Sequence, residues 1–498
     1  MDQTMSERRQ ATTVGQLPTP AGGDSRVPAT LTWLVWLLWV ASSIALVAHL
    51  RGGAWDLAGV AVVDGLTVVM WVTVTFFSGI VHSYSRRYMA GNQNIDRFFG
   101  RVFAFTLVVM VLVAADNLAL FGAAWLVMGL LMAALIGHVQ EWSQAQTAAS
   151  LARRYFLAGS ALVAVALAAL WWVTGATTTS GVASAVGTAP PAVVALAAGT
   201  LLLAAMVQSA LVPFHAWLLS SMTAPTPASA LMHAGFVNAG GVLLVRFAPV
   251  VTADARFMLA VVLVGVASAL GGKLLKSVRA DVKSKLGCST VGQMGFMIMQ
   301  AGLGFFGAAI THLILHGFYK AYQFLASGSR VKQKRPTGAK DTGSAGPAGI
   351  GVIAVTALAG GALFAVLTGK GTKLDGGLLL TLIVVLTVLH AARGVVTRTS
   401  LPPTLRYGAV PLVALPAITI YAAVFRAIEG LVAGLPAVGQ PAELTVVHGV
   451  IAATFAVAYV AIDRGVHRRS RRLYVALLNV SQPSSDTLLT STEEYNEY

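Results

Sequence analysis

The chain has 498 residues, 56% of them hydrophobic and 11% charged, whereas a soluble domain carries about 25% charged residues, so a water-soluble globular fold is excluded. Its single cysteine, Cys288, excludes a disulfide framework, a cysteine-based zinc site and an iron–sulfur cluster on this chain. The net charge of +15 collects in short loops between apolar runs, as topology determinants do, and argues against nucleic-acid binding.

The first 30 residues are polar, with Pro and Gly, and are predicted to form a disordered cytoplasmic tail. The apolar pattern opens only at Leu31, with no small-residue cleavage site soon after, so no signal peptide is expected. Apolar runs then lie at about 31–50, 59–82, 102–115, 117–138, 154–174, 188–206, 227–248, 256–272, 287–304, 306–327, 347–368, 375–396, 408–433 and 443–463. Most have the length of about 20 residues that crosses a bilayer, and they predict an all-α polytopic membrane protein of about fourteen transmembrane helices. A transmembrane β-barrel would show short alternating segments instead. The pairs within 102–138 and 287–327 each need a tight reversal. Three regions follow: a tail over 1–30, a transmembrane domain over 31–463, and a cytoplasmic tail over 464–498 that is first basic and then acidic. The stretch just after Arg472 is amphipathic.

Basic residues set the orientation. One side receives Arg86, Arg87, Arg97, Arg101, Arg153, Arg154, Lys273, Lys276, Lys283, Lys285, Arg330, Lys332, Lys334, Arg335, Arg464, Arg468, Arg469, Arg471 and Arg472. The other side receives almost none, so both termini are expected in the cytoplasm.

Prolines interrupt this pattern. Pro213, Pro225 and Pro227 surround a polar patch in "MVQSALVPFHAWLLSSMTAPTPASALMHAGF", and Pro411 and Pro416 fall in the run 408–433 with Arg426 and Glu429. Proline removes a backbone donor, and lipid tolerates a broken helix only where protein or water satisfies the freed groups. Residues 208–228 are therefore predicted to line the interior.

Ionisable and polar groups in or at the ends of apolar runs are Asp64, His82, Asp116, His138, Glu141, Gln208, His215, His233, His312, His316, Lys320, Lys370 and His390. A charge at mid-bilayer costs roughly 2.5–3.5 kcal/mol or more, so such groups face an interior or a water path. The stretch "HLILHGFYKAYQFL" holds three of them at four-residue spacing. Each step turns an α-helix by about 400°, so His312, His316 and Lys320 form one polar stripe about 12 Å long. Histidine titrates near neutral pH, and this spacing suits stepwise proton transfer. Interhelical hydrogen bonding is the plainer alternative. A zinc site is the other, but the helix offers no carboxylate or cysteine, and lysine is a poor third ligand. His233, near Asn238, Gly240 and Gly241, has the same two readings. Other matches carry nothing: "GLGFFG" at 302–307 has no preceding strand, and "TGKGT" around Lys370 lacks the upstream glycine of a P-loop. The sequon "NVS" at 479–481 lies on the predicted cytoplasmic side.

Several stretches carry a family resemblance: "VDGLTVVMWVTVTFFSGIVHSYSRRYM" (63–89), "ADNLAL" (115–120), "QSALVPFHAWLLSSMTAPTPASALMHAG" (208–235), "ADVKSKLGCSTVGQMGFM" (280–297) and "HLILHGFYKAYQFLASGS" (312–329). In this order, over roughly 60–400, the chain resembles the proton-transporting membrane family shared by respiratory complex I and Mrp antiporters. That resemblance implies fourteen core helices in two inverted five-helix repeats, each with a discontinuous helix. It also implies an ion path through His233, His312, His316, Lys320 and Lys370, with Asp64, His82, Asp116, Glu141, Gln208, His215 and His390 as secondary candidates.

The chain departs from the family at two positions. Family members carry a glutamate after the tryptophan of "DN…W", where Trp125 is followed by Leu126, and a lysine where this chain has Gln208. The long lateral helix beyond the core is also not expected. In these features, and in "STVGQMGFMIMQAGLG" and "LYVALLNVSQP", the chain is similar to the membrane subunits of DAB inorganic-carbon pumps. That subgroup implies no cofactor and no catalysis on this chain. The chemistry would lie on a DabA-like cytoplasmic partner similar to a zinc β-carbonic anhydrase, which hydrates CO2 to bicarbonate while the membrane subunit passes H+ or Na+. A subunit of complex I, of a hydrogenase-type complex or of an Mrp antiporter is the alternative, and a purely structural anchor is a third.

Overall fold

The computed structural model describes residues 25–327, 346–398, 402–439 and 441–487. Most of the predicted N-terminal tail, the basic residues Arg330, Lys332, Lys334 and Arg335, and the acidic end of the chain lie outside the described residues. The helices are α1 (Val27–Gly52), α2 (Gly65–Tyr88), α3 (Ile95–Ala114), α4 (Leu118–Ile136), α5 (Ser143–Thr174), α6 (Thr179–Ala185) and α7 (Pro191–Gln208). They continue as α8 (Ala216–Ser220), α9 (Thr226–Ala234), α10 (Ala239–Arg246), α11 (Ala248–Val251), α12 (Ala255–Val278), α13 (Val282–Gly302) and α14 (Phe306–Leu325). The last are α15 (Pro347–Thr368), α16 (Gly377–Arg398), α17 (Pro403–Val432), α18 (Val446–Asp463), α19 (Val466–Arg469) and α20 (Arg471–Val480).

The helix ends follow local chemistry. Asp64, Asn117 and Asp281 cap α2, α4 and α13, each accepting a backbone N–H of the first turn. α1 begins at Val27, inside the stretch predicted as tail, with proline in its first turn. Between α1 and α2 lies a short hairpin not foreseen from the sequence, β1 (Trp55–Leu57) against antiparallel β2 (Ala61–Val63).

Among the described residues eleven helical segments are long and apolar enough to cross a membrane. α13 and α14 are not among them, because their polar residues lower their hydropathy. They instead form the centre of the bundle, with α14 packed against α2, α9, α13 and α17. α12 and α13 approach closely: a Cβ on Gly295 would stand 2.5 Å from the Ala269 nitrogen, and one on Gly272 would collide with the Gly292 backbone. Small residues permit such contact between membrane helices.

The predicted break over 208–228 is present. α7 ends at Gln208, the chain passes through Pro213 to the five-residue α8, and Pro225 and Pro227 start α9. A second break, not predicted, follows at once: Gly235 leaves helical geometry and a 3-10 turn, Phe236–Asn238, leads into α10. The expectation for 408–433 is corrected, because α17 runs without interruption through Pro411 and Pro416. Each proline removes one donor, and a membrane helix tolerates this where neighbours pack around it; α15 and α16 pack on α17.

Candidate functional site

The α14 stripe is buried as the spacing requires. Lys320 is fully buried, and His312 and His316 are nearly so. The His312 and His316 rings lie almost parallel, with centroids 5.8 Å apart. Lys320 Nζ donates to the Leu286 carbonyl on α13 at 2.7 Å. That carbonyl also accepts from the Thr290 hydroxyl at 3.0 Å. Thr290 Oγ1 stands 2.9 Å from Nδ1 of His233, on the last turn of α9. The His233 ring stacks on Phe324, one turn beyond Lys320, at 4.3 Å between centroids. The two breaks thus hold His233 against α13 and α14, and one carbonyl–hydroxyl pair ties it to the stripe.

The Nε2 atoms of His233, His312 and His316 are buried without a protein hydrogen-bond partner among the described residues. A buried unpaired group costs about 1–3 kcal/mol. His82 and His138 also leave ring nitrogens unpaired among the described residues, so what sets these three apart is that they come together with Lys320 where α9, α13 and α14 meet. A hard cation such as Na+ takes oxygen ligands, whereas the stripe presents nitrogen bases that exchange protons.

Beyond His312 a cavity of about 780 Å³ extends between α12–α14 and α15–α18. It is lined by His312, Gln300, Lys370, Lys273, Lys276 and His390 among others. Lys370 Nζ pairs with Glu429 Oε1 of α17 at 2.9 Å and lies over the rings of Phe305 and Phe425. Lys370 and His312, one end of the stripe, therefore line one cavity, whereas His316 and Lys320 do not line it. Glu429 was noted in the sequence only as a charge in a helix; its pairing with Lys370 needs the turn after α15 to meet α17 and leaves no local signal. Thr290 was missed for the same reason.

The secondary candidates divide. Asp64 caps α2 and pairs with Arg246, which also donates to the Val113 carbonyl. Asp116 accepts from Thr179 and Ser180 at the start of α6. Both carboxylates anchor helix ends, and the stripe has no contact with either. Glu141 is exposed in a loop. His82 is buried beside Phe99, its Nδ1 2.8 Å from the Ser78 carbonyl. Gln208, where the family has lysine, donates to the Phe236 carbonyl at 3.0 Å and braces the second break. His215 meets the Val480 carbonyl at the end of α20, so the C-terminal helix is fastened to the broken stretch. His390 Nε2 lies 3.2 Å from Lys273 Nζ. Leu126 is half-buried on α4. Among the described residues no cluster of histidine, cysteine and carboxylates forms a metal site.

A bundle of apolar helices, broken twice around a buried histidine and holding a row of buried titratable groups, defines the class as an all-α polytopic membrane protein. Residues 115–346 match the model of the NADH:quinone oxidoreductase/Mrp antiporter transmembrane family, and residues 53–99 match that of the complex I chain 5 N-terminus. The chain is 38% identical over 294 residues to a probable inorganic carbon transporter subunit, DabB1, of Halothiobacillus neapolitanus, covering 58% of this chain and 52% of that protein. It is 37% identical over 275 residues to NADH-quinone oxidoreductase subunit L of Mycobacterium tuberculosis, covering 54% and 43%. The fold is similar to the structure of an Mrp complex from Dietzia, with a TM-score of 0.57 at 23% identity over 90% of this chain and 54% of that one. Over these residues the chain is similar to the Mrp and complex I antiporter-like family of membrane transporters. It spans about half the length of the curated relatives it matches.

Proposed function

We propose that the chain is the proton-conducting membrane subunit of an energy-coupled inorganic-carbon accumulation complex. The observation that carries the ion path is the buried row of titratable nitrogens on His233, Lys320, His316 and His312, with His233 and Lys320 positioned through Thr290 and the Leu286 carbonyl and His312 opening into the cavity that reaches Lys370. Protons are the ion, because the line offers nitrogen bases and no carboxylate. The carbon-pump role draws on the similarity to DabB1 and on Leu126 and Gln208, which leave the upstream half without the family's glutamate–lysine pair. In this reading the chain sits in the cell inner membrane with both termini cytoplasmic, its fourteen spans forming two inverted five-helix repeats. A DabA-like zinc protein hydrates CO2, and the proton current makes that hydration one-way.

The second reading, a proton-pumping subunit of a complex I, hydrogenase-type or Mrp complex, is favoured by the similarity to subunit L. One experiment addresses both. Lys320→Met is expected to abolish CO2-dependent rescue of a carbonic-anhydrase-deficient host while the complex still assembles. Undiminished rescue would refute the path. Co-purification of redox subunits in place of one zinc protein would favour the second reading.

A further inference from the structure

The cavity of about 780 Å³ lies within the size range of small-molecule sites, and its two walls differ. The α12–α14 wall is polar, with Lys273, Lys276, Gln293 and His312; the α16–α18 wall is apolar, with Ile383, Val384, Val388 and Phe455. No carboxylate lines it. Lys273 and Lys276 lie in the last two turns of α12, at the end of the bundle where the basic loops collect. Neither has an ion pair among the described residues. The neighbouring basic groups are satisfied: Arg279 pairs with Asp281, and Lys283 donates to the Met222 and Ala224 carbonyls. Lys273 donates instead to a neutral partner, His390 Nε2, at 3.2 Å, which leaves its charge without a counter-ion. Deeper in, Gln300 Oε1 and His312 Nε2 are buried without a protein partner.

Cations without an ion pair at one end, with Lys370 already neutralised by Glu429, and one apolar and one polar wall match an amphiphile and not a simple ion. We propose that this cavity takes an anionic phospholipid. Its phosphate rests on Lys273 and Lys276, and one of its two acyl chains runs along the apolar wall of α16–α18. The polar wall of α13 and α14 stays available to water beside the chain. Lysines at the cytoplasmic end of a membrane helix recognise anionic headgroups by charge, and their apolar stems suit the rim of such a site.

The test uses the full chain purified in mild detergent, incubated with phosphatidylglycerol or phosphatidylcholine and examined by native mass spectrometry. Phosphatidylglycerol is expected to be retained in preference to phosphatidylcholine. In K273Q/K276Q its retention should fall by roughly tenfold or more, the scale of two lysine–headgroup contacts. K273R/K276R should retain it. Ala414→Trp, which fills the apolar wall without touching charge, should lose it, so the proposal stays testable if the glutamine variant fails to fold. Equal retention of phosphatidylcholine, or unchanged retention in the glutamine or tryptophan variants, would overturn the proposal. So would displacement of the lipid by inorganic phosphate alone, which would mark a site for a free anion. The readout is lipid mass, so its failure is distinct from failure of the ion path.

Discussion

Thr290 decides which nitrogen of His233 is available to move a proton. A hydroxyl has one proton to donate, and here it goes to the Leu286 carbonyl at 3.0 Å. The contact at 2.9 Å therefore takes Nδ1–H of His233 onto the threonine oxygen. That fixes the tautomer and leaves Nε2 as the basic lone pair, buried and without a protein partner. Thr290→Val keeps the shape and removes the acceptor. It is expected to shift the His233 tautomer ratio in ¹⁵N NMR of labelled protein and to slow proton flux roughly tenfold or more, within the range of a positioned acid–base group. Thr290→Ser should restore both. A valine variant with wild-type tautomer and flux would show that Thr290 only packs. At this scale the sequence was informative where partners share a helix: the four-residue spacing of His312, His316 and Lys320 gave the stripe directly. It was uninformative where partners come from other helices, as for Thr290 and Glu429. Asp116 looked like an intramembrane charge because its partners Thr179 and Ser180 lie beyond the apolar runs, and Asp64 because its counter-charge Arg246 comes from a distant helix.

The elements that position these groups rest on close backbone contact. α12 and α13 meet where Gly272 faces Gly292 and Gly295 faces Ala269, with no room for a Cβ at either glycine. α13 carries both Leu286 and Thr290, so the contact sets the distance between the Lys320 amine and its acceptor. Gly272→Leu is expected to cost about 1–3 kcal/mol by overpacking and to lower the thermal midpoint in a detergent melt. It should also reduce flux per folded molecule, because α13 must move. An unchanged midpoint would mean that the seam relaxes freely. The first break was legible because Pro213, Pro225 and Pro227 leave no regular alternative. The second rests on Gly235 alone, and a single glycine in an apolar run reads equally well as a packing residue. Pro411 and Pro416 show the converse, since α17 absorbs both and remains helical.

For the whole molecule, composition was enough to give an all-helical membrane fold, because lipid leaves the backbone few choices. What composition could not give is which helices are central. α13 and α14, whose polar residues keep them from the hydropathy of a membrane span, lie in the interior together with α2, α9 and α10. The joining of the stripe to Lys370 through a cavity built by seven helices was equally out of reach, since no local pattern encodes it. The central claim is that this line conducts protons to energise a partner's chemistry. The most direct measurement is proton uptake into liposomes containing the purified complex, followed with an internal pH dye under an imposed pH gradient. The wild type should take up protons with CO2 present and without any need for Na+, and Lys320→Met should not. Equal uptake by the Lys320→Met complex, or uptake that requires Na+, would contradict the account.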